Sequence, residues 1–145
     1  MAQNSTSLNR NFNKQLKKYI KNSSMKGTKA IRGVGLQALK MVMIKSPVDE
    51  GTFRGNWNVG INTIDGTLQD GYTRKPKFGQ FDQQAYTRGN ERIGSFKNGD
   101  KINISNSLPY ANRLEYTDWS AQSTGMVRTT LMELIFWLKA QNKKV

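Results

Sequence analysis

Two pairs of neighbouring carboxylates are the residues in this sequence whose spacing first suggests chemistry. Asp49 and Glu50 are adjacent, and Glu115 lies close before Asp118. Such pairs perform acid–base catalysis or bind a divalent cation. Neither pair lies in a calcium-binding or phosphate-binding motif, and the chain contains no histidine or cysteine. We therefore expect no enzymatic activity, no metal and no cofactor, and we interpret Asp49 as a turn residue ahead of Gly51.

Basic and aromatic side chains are mixed in the segment 72–81. Proteins that bind single-stranded nucleic acid combine stacking rings and cations in this way. One short segment does not make a groove, however, and a solvated loop has the same composition. We favour the solvated loop.

Positive charge is concentrated in the first third of the chain. The formal net charge is +13, and residues 1–45 contain ten Lys or Arg and no acidic residue. At 100° per residue, the apolar side chains between positions 8 and 20 share one helix face. The opposite face carries a set of cations, which we call the basic face: Arg10, Lys14, Lys17, Lys18 and Lys21. This face is a candidate for non-specific contact with DNA phosphates or an acidic protein surface, and the alternative is a surface that only aids solubility.

The remaining elements follow from periodicity and turn residues. The helical pattern continues to Val42 with a bend or break within 22–27, and Pro47 ends it. Period-two alternation predicts a strand over 53–61 whose other face carries Arg54, Asn56 and Asn58. A second strand is predicted over 101–106, with Ile102 and Ile104 facing inward.

Apolar spacing predicts a last helix that begins near Thr124. Its predicted apolar stripe contains Val127, Leu131, Leu134, Ile135 and Leu138. Phe136 and Trp137 widen this stripe, and we favour core packing for them over a subunit interface. Pro109 suits the first turn of a short helix before it.

Together these patterns predict an α+β fold, in which a long N-terminal amphipathic helix and a C-terminal helix pack on a small antiparallel β-sheet. We expect one domain over 1–145, with residues 1–7 as a flexible arm and 66–100 as a polar loop or insertion. Within that segment, Phe81, Ala85, Ile93 and Phe96 indicate a short, poorly formed helix. The longest apolar run, 134–138, is far too short to span a membrane, so we expect no membrane partner.

Two segments carry a family likeness. Residues 46–57 read Ser-Pro-Val-Asp-Glu-Gly-Thr-Phe-Arg-Gly-Asn-Trp, and residues 104–111 read Ile-Ser-Asn-Ser-Leu-Pro-Tyr-Ala. In order and spacing they resemble the tail-completion or neck (head–tail joining) proteins of tailed bacteriophages, of the minor tail protein Z-like kind. Glu50 stands where that family commonly has Thr, and Ser123–Thr124 where it commonly has Ala-Pro. The matching positions are Pro47, Asp49, Gly51, Trp57, Asn106, Pro109, Tyr110, Ala111, Leu114, Glu115, Gly125 and Met126.

The resemblance implies a structural virion protein rather than an enzyme. It implies a homo-oligomeric ring at the head–tail junction, with genome DNA passing non-specifically through its lumen. The expected protein partners are a head-side connector or adaptor protein and a tail terminator or tail tube protein. The expected location is the virion, and the host cytoplasm during assembly. The alternative from the residues alone is a small basic nucleic-acid-binding module.

Overall fold

A computed structural model describes residues 5–23, 27–46, 52–69, 82–109, 111 and 126–144. The helices within these residues are α1 (Ser5–Asn22), α2 (Gly27–Ile44), α3 (Thr52–Gly55), α4 (Gln83–Gly94) and α5 (Met126–Lys143). The strands are β1 (Trp57–Ile61) and β2 (Ile102–Asn106), which form a two-stranded antiparallel sheet. The predicted α+β fold, with helices packed on a small antiparallel sheet, is confirmed.

The predicted N-terminal helix is divided into α1 and α2, with the break where the sequence predicted a bend. In α1 the apolar face packs inward: Leu8 is buried, and Phe12, Leu16 and Tyr19 pack against a core cluster that includes Val34. Helix α1 already begins at Ser5, within the predicted flexible arm 1–7. Residues 1–4 of that arm lie outside the described residues.

Helix α5 runs antiparallel to α1 and is the element on which α1 packs most extensively. The rings of Tyr19 and Trp137 lie 5.7 Å apart, and Asn142 Nδ2 donates to the main-chain oxygen of Gln15 at 3.3 Å. Two predictions for this helix are wrong. Val127 is 51% exposed and Phe136 is 67% exposed. The predicted Leu134, Ile135 and Leu138 are buried, together with Met126 and Thr130, and Phe136 lies on the opposite side of the helix from Leu134 and Leu138.

Helix α4 lies within the segment predicted as a polar loop or insertion, 66–100. Asp82 is its N-cap, and the Asp82 carboxylate accepts from Ala85 N at 2.8 Å. Ile93 and the following Phe96 are buried. A Cβ on Gly89 would lie 2.4 Å from Leu39 Cδ2, so only glycine allows α4 to approach α2 this closely. The prediction of a polar loop is therefore wrong from residue 83 to residue 96. The short helix indicated by Ala85, Ile93 and Phe96 is present, and it is better formed than the sequence indicated.

The main apolar cluster joins α2, α3, β1, α4 and α5. Its buried members include Leu39, Met43, Phe53, Val59 and Met126, and Ile102 and Ile104 of β2 pack against it as predicted. Among the described helices, none has the length and apolar character needed to cross a membrane.

Candidate functional site

The two segments that carry the family likeness meet in the sheet. In the register of β1 and β2, Trp57 lies opposite Asn106. Asn106 Nδ2 donates to the main-chain oxygen of Phe53 at 2.9 Å, and its Oδ1 accepts from Leu108 N at 3.2 Å. Ala111 packs against the cluster that contains Trp57. Segments separated by about fifty residues of sequence thus form one structural unit, which we call the strand junction.

Trp57 fastens the end of α2 to the start of β1. Its side chain is only 4% exposed, as expected for this position. The indole Nε1 donates to Ser46 Oγ at 2.7 Å, and Ser46 Oγ donates in turn to the main-chain oxygen of Val42 at 2.7 Å. The ring meets Phe53 edge to face, at 5.8 Å between centroids. The indole is therefore held both by packing and by a hydrogen bond.

A buried arginine closes the carboxyl end of α2. One terminal nitrogen of Arg54 donates to the main-chain oxygen of Ser46 at 2.7 Å and to that of Ile44 at 3.3 Å. These carbonyls carry the negative end of the helix dipole, so a cation is stabilised there. Burial lowers the pKa of the Arg54 guanidinium, and the nearby Asp82 charge opposes that effect. An arginine stays charged under such conditions.

The second face of β1 is covered by the chain's own return segment, residues 62–69. Asn56 Nδ2 donates to Gln69 O at 3.2 Å, while Gln69 N donates to Asn56 Oδ1 at 2.7 Å. Asn58 Nδ2 donates to Thr67 O at 2.6 Å and to Asp65 O at 3.3 Å. Both asparagines are at most 1% exposed. Their amides supply the polar partners that the return segment would otherwise find in a neighbouring strand.

The chain reverses tightly between β1 and the return segment, with no room for a side chain at Gly60. Asn62 has a φ of 64°, and a Cβ on Gly60 would lie 2.2 Å from the main-chain oxygen of Thr63. Asp65 then accepts from Thr67 N at 3.0 Å and from Thr67 Oγ1 at 2.5 Å. These hydrogen bonds lower the pKa of the Asp65 carboxyl. The Asp65 carboxylate thus stabilises the return.

Arg88 of α4 covers the outer edge of β1. One of its terminal nitrogens donates to the main-chain oxygens of Gly55 at 3.0 Å and Trp57 at 3.3 Å, and lies 3.4 Å from Asn58 Oδ1. The guanidinium thus binds main-chain oxygens with which a further strand could otherwise pair. Together, these hydrogen bonds connect α2, β1, the return segment and α4.

The sequence predicted one half-buried strand over 53–61, with Arg54, Asn56 and Asn58 on its solvent face. This is wrong in two ways, because residues 52–55 form the short helix α3 and all three side chains are buried. A signal was present: asparagine is disfavoured in strands, yet it occurs here at successive positions of one face, followed by Gly60. Repeated amides on one face indicate that another main chain approaches. Arg88 carried no comparable signal in the sequence.

The basic face on α1 is exposed along its length. Every one of its cations is open to solvent: Arg10, Lys14, Lys17, Lys18 and Lys21. On the antiparallel neighbour α5, Lys139 and Lys143 are also exposed. The helix pair therefore presents cations on a surface separate from the strand junction, and the structure does not bring the two sites together.

Several predicted residues lie outside the described ones. Among the described residues, no group of three carboxylate, histidine or cysteine side chains could hold a metal ion. Of the family-likeness positions, Trp57, Asn106, Pro109, Ala111 and Met126 are described. The predicted positions and segments that are not described are Pro47, Asp49, Glu50, Gly51, the basic and aromatic segment 72–81, Tyr110, Leu114, Glu115, Asp118 and Gly125.

Comparisons with known proteins found no matching family model, no matching curated protein and no matching solved structure.

Proposed function

We propose that this chain is a structural virion protein of the phage neck, which forms a ring that joins the tail to the head connector. The supporting observation is the pairing of Trp57 with Asn106 at the centre of the strand junction. This pairing brings together the two sequence segments that resemble the neck family. A chance likeness in two short segments would not require them to be neighbours in the fold.

The chemistry of the strand junction also favours a structural role. Its polar side chains bind main-chain groups: Arg54 binds the end of α2, Asn56 and Asn58 bind the return segment, and Arg88 binds the edge of β1. Groups engaged in this way hold a shape and are not available for catalysis. In the proposed ring, the chain contacts itself, a head-side connector or adaptor protein, and a tail terminator or tail tube protein. Genome DNA passes through the lumen.

Electron microscopy of the purified assembly and fractionation of particles test this proposal. We expect rings in negative stain, and a stoichiometric amount of the protein in purified virions. Without its gene, filled heads and tails should accumulate unjoined, and the wild-type protein added in trans should restore joined particles. Intact infectious particles that lack the protein would contradict the proposal.

The second candidate function is a small basic nucleic-acid-binding module. The observation that favours it is the exposure of the whole basic face on α1. Such a module would bind duplex DNA as a free subunit, with an affinity that falls steeply with salt. It would be absent from purified particles, so the same fractionation separates the two functions.

A further inference from the structure

The outer edge of β2 carries main-chain groups that point away from β1. Asn62 N donates to Lys101 O at 2.8 Å, which makes these two residues a hydrogen-bonded pair of the antiparallel ladder. Bonded and non-bonded pairs alternate along such a ladder. Asn103 and Ser105 therefore bond to β1, whereas the N–H and C=O groups of Ile102, Ile104 and Asn106 point outward.

These outward groups have no partner within the part of the chain that the structure describes. On the corresponding edge of β1, Arg88 binds the main-chain oxygen of Trp57 and, just before the strand, that of Gly55. Among the described residues, the β1 edge is thus partly covered, whereas nothing binds the outer edge of β2, which we call the open edge.

The open edge lacks the devices that keep exposed strands from pairing. Such strands usually carry a proline, a charged side chain or a bulge. Residues 102–106 read Ile-Asn-Ile-Ser-Asn, with no proline and no charge, and the register with β1 is regular throughout. This strand is suited to accept another strand.

An exposed apolar side chain lies over the outer face of the sheet at the middle of β2. The return segment crosses this face where Asn103 Nδ2 donates to Thr63 O at 3.1 Å and Ser105 Oγ donates to Asp65 O at 3.3 Å. Ile64, between these two anchors, is 67% exposed. An apolar side chain this exposed can extend a contact that begins at the strand edge.

We propose that β2 pairs with β2 of a second copy of this chain, antiparallel and about a two-fold axis at Ile104. In this register Ile104 faces Ile104 of the second copy, and Ile102 faces Asn106. Each facing pair exchanges both of its N–H···O bonds, so every outward group is used. The two-fold axis is perpendicular to the sheet, so the faces covered by the two return segments lie on the same side. The two copies of Ile64 therefore lie on that side, near the axis.

The charges around the strand favour a second copy over an acidic peptide. An acidic partner would need cations along the edge, and residues 102–106 contain none. In the proposed register Lys101 lies opposite the uncharged Ser107. Although the net charge of the chain is +13, the paired strands therefore bring no two positive charges face to face. A five-residue strand buries little area, so we expect a weak dimer that forms at high concentration. The pairing does not depend on the proposed function, because a two-fold contact alone does not make a ring.

Sedimentation and amide exchange of the full chain test the pairing over about a hundredfold range of concentration. We expect a shift from monomer to dimer as concentration rises. The amides of Ile102, Ile104 and Asn106 should become protected in parallel with that shift. Those of Asn103 and Ser105 bond to β1 in either state, so they should remain protected throughout and serve as internal controls.

A matched pair of variants locates the contact. Ile64→Asp places two like charges at the axis and should weaken dimerisation at least about tenfold. Leu68→Asp makes the same change at a side chain that is 52% exposed, between Thr67 and Gln69, which bond to Asn58 and Asn56 and not to β2, so it should leave dimerisation unchanged. A monomer at every concentration, a dimer in which the three outward amides still exchange as in the monomer, or equal effects of the two variants would each overturn the proposal.

Discussion

Asn56 and Gln69 hold each other through two reciprocal hydrogen bonds, in which the amide of Asn56 serves both main-chain groups of Gln69. The distances are 2.7 Å for Gln69 N to Asn56 Oδ1 and 3.2 Å for Asn56 Nδ2 to Gln69 O. A buried side chain here makes the hydrogen bonds that the main chain of a neighbouring strand would make in a regular sheet. The position of the return segment therefore depends on single side chains.

We expect Asn56→Ala to destabilise the protein by about 1–3 kcal/mol, because it leaves buried main-chain groups without partners. The free energy of unfolding from denaturant melts measures this, and exchange of the Gln69 amide should accelerate locally. The control is Asn103→Ala, since the Asn103 side chain binds Thr63 O at an exposed position and its loss should cost less than about 1 kcal/mol. Equal losses in the two variants would mean that Asn56 does not anchor the segment.

Trp57→Ala should cost about 3–5 kcal/mol, because it empties a buried site and also removes the hydrogen bond to Ser46 Oγ. Phe136→Ala is the control, since this ring is 67% exposed and its truncation should change the stability by less than about 0.5 kcal/mol. Denaturant melts of both variants measure the difference. A loss below about 1 kcal/mol for Trp57→Ala would contradict its role as the anchor of the strand junction.

Stability should fall as the pH drops below the ordinary carboxyl value. Hydrogen bonds from Thr67 lower the pKa of Asp65 from 3.8. Hydrogen bonds from the Asn62 side chain and, to a smaller extent, from the Lys97 main-chain amide likewise lower the pKa of Asp100. A carboxyl whose pKa is lower when folded stabilises the protein above its unfolded pKa, and this contribution is lost as the pH falls through the folded pKa.

Thermal melts between neutral pH and acid check this dependence. Thr67→Val removes the hydroxyl that donates to Asp65, so its melting temperature should fall less steeply in acid than that of the wild type. Asp65→Asn should show a similar reduction in slope. An unchanged slope in both variants would show that Asp65 does not contribute to the acid sensitivity.

We expect the cations of the basic face to bind DNA phosphates through their charge. Changing Lys14, Lys17, Lys18 and Lys21 together to Gln should leave the fold intact, because these side chains are exposed. Binding of non-specific duplex DNA should weaken and depend less steeply on salt, since fewer phosphate contacts release fewer counterions. In particles, assembly or DNA retention should weaken, and the difference from the wild type should be largest at low salt, where charges are least screened.

The matched control changes four exposed cations outside α1 and α5, Lys29, Arg92, Lys97 and Lys101, to Gln. It removes the same charge without touching the basic face. Titrations of labelled DNA with both variants compare the two surfaces. Normal particle yield and infectivity for the first variant, together with equal DNA affinities for both, would mean that the basic face only aids solubility.

Periodicity predicted the parts of this fold in which one face is apolar and the other charged. The inward face of α1 and the inward Ile102 and Ile104 follow from spacing alone, because burying charges is costly and burying aliphatic groups is favourable. The break between α1 and α2 follows from glycine and small polar residues.

The parts that periodicity missed are those in which polar groups are buried or apolar ones exposed. Asn56 and Asn58 look solvent-facing until the return segment is placed over them, and that placement depends on the reversal at Asn62 and the close approach of Thr63 to Gly60. Helix α4 buries glycine and alanine as well as Ile93, so spacing indicated only a short, poorly formed helix there. Phe136 lies on an apolar helix but on its outer side, where spacing alone gave no reason to separate it from Trp137.

The packing of α1 on α5 joins the first and last of the described helices, and this has a consequence for synthesis. A nascent chain leaves the ribosome from its N-terminus, so residues 5–22 emerge long before residues 126–143. During that interval the apolar face of α1 lacks the surface on which it packs most extensively, while its lysines are already in solution among ribosomal polyanions. Helix α5 therefore completes the packing of α1, and a chain truncated before Met126 would leave α1 accessible to proteases and chaperones.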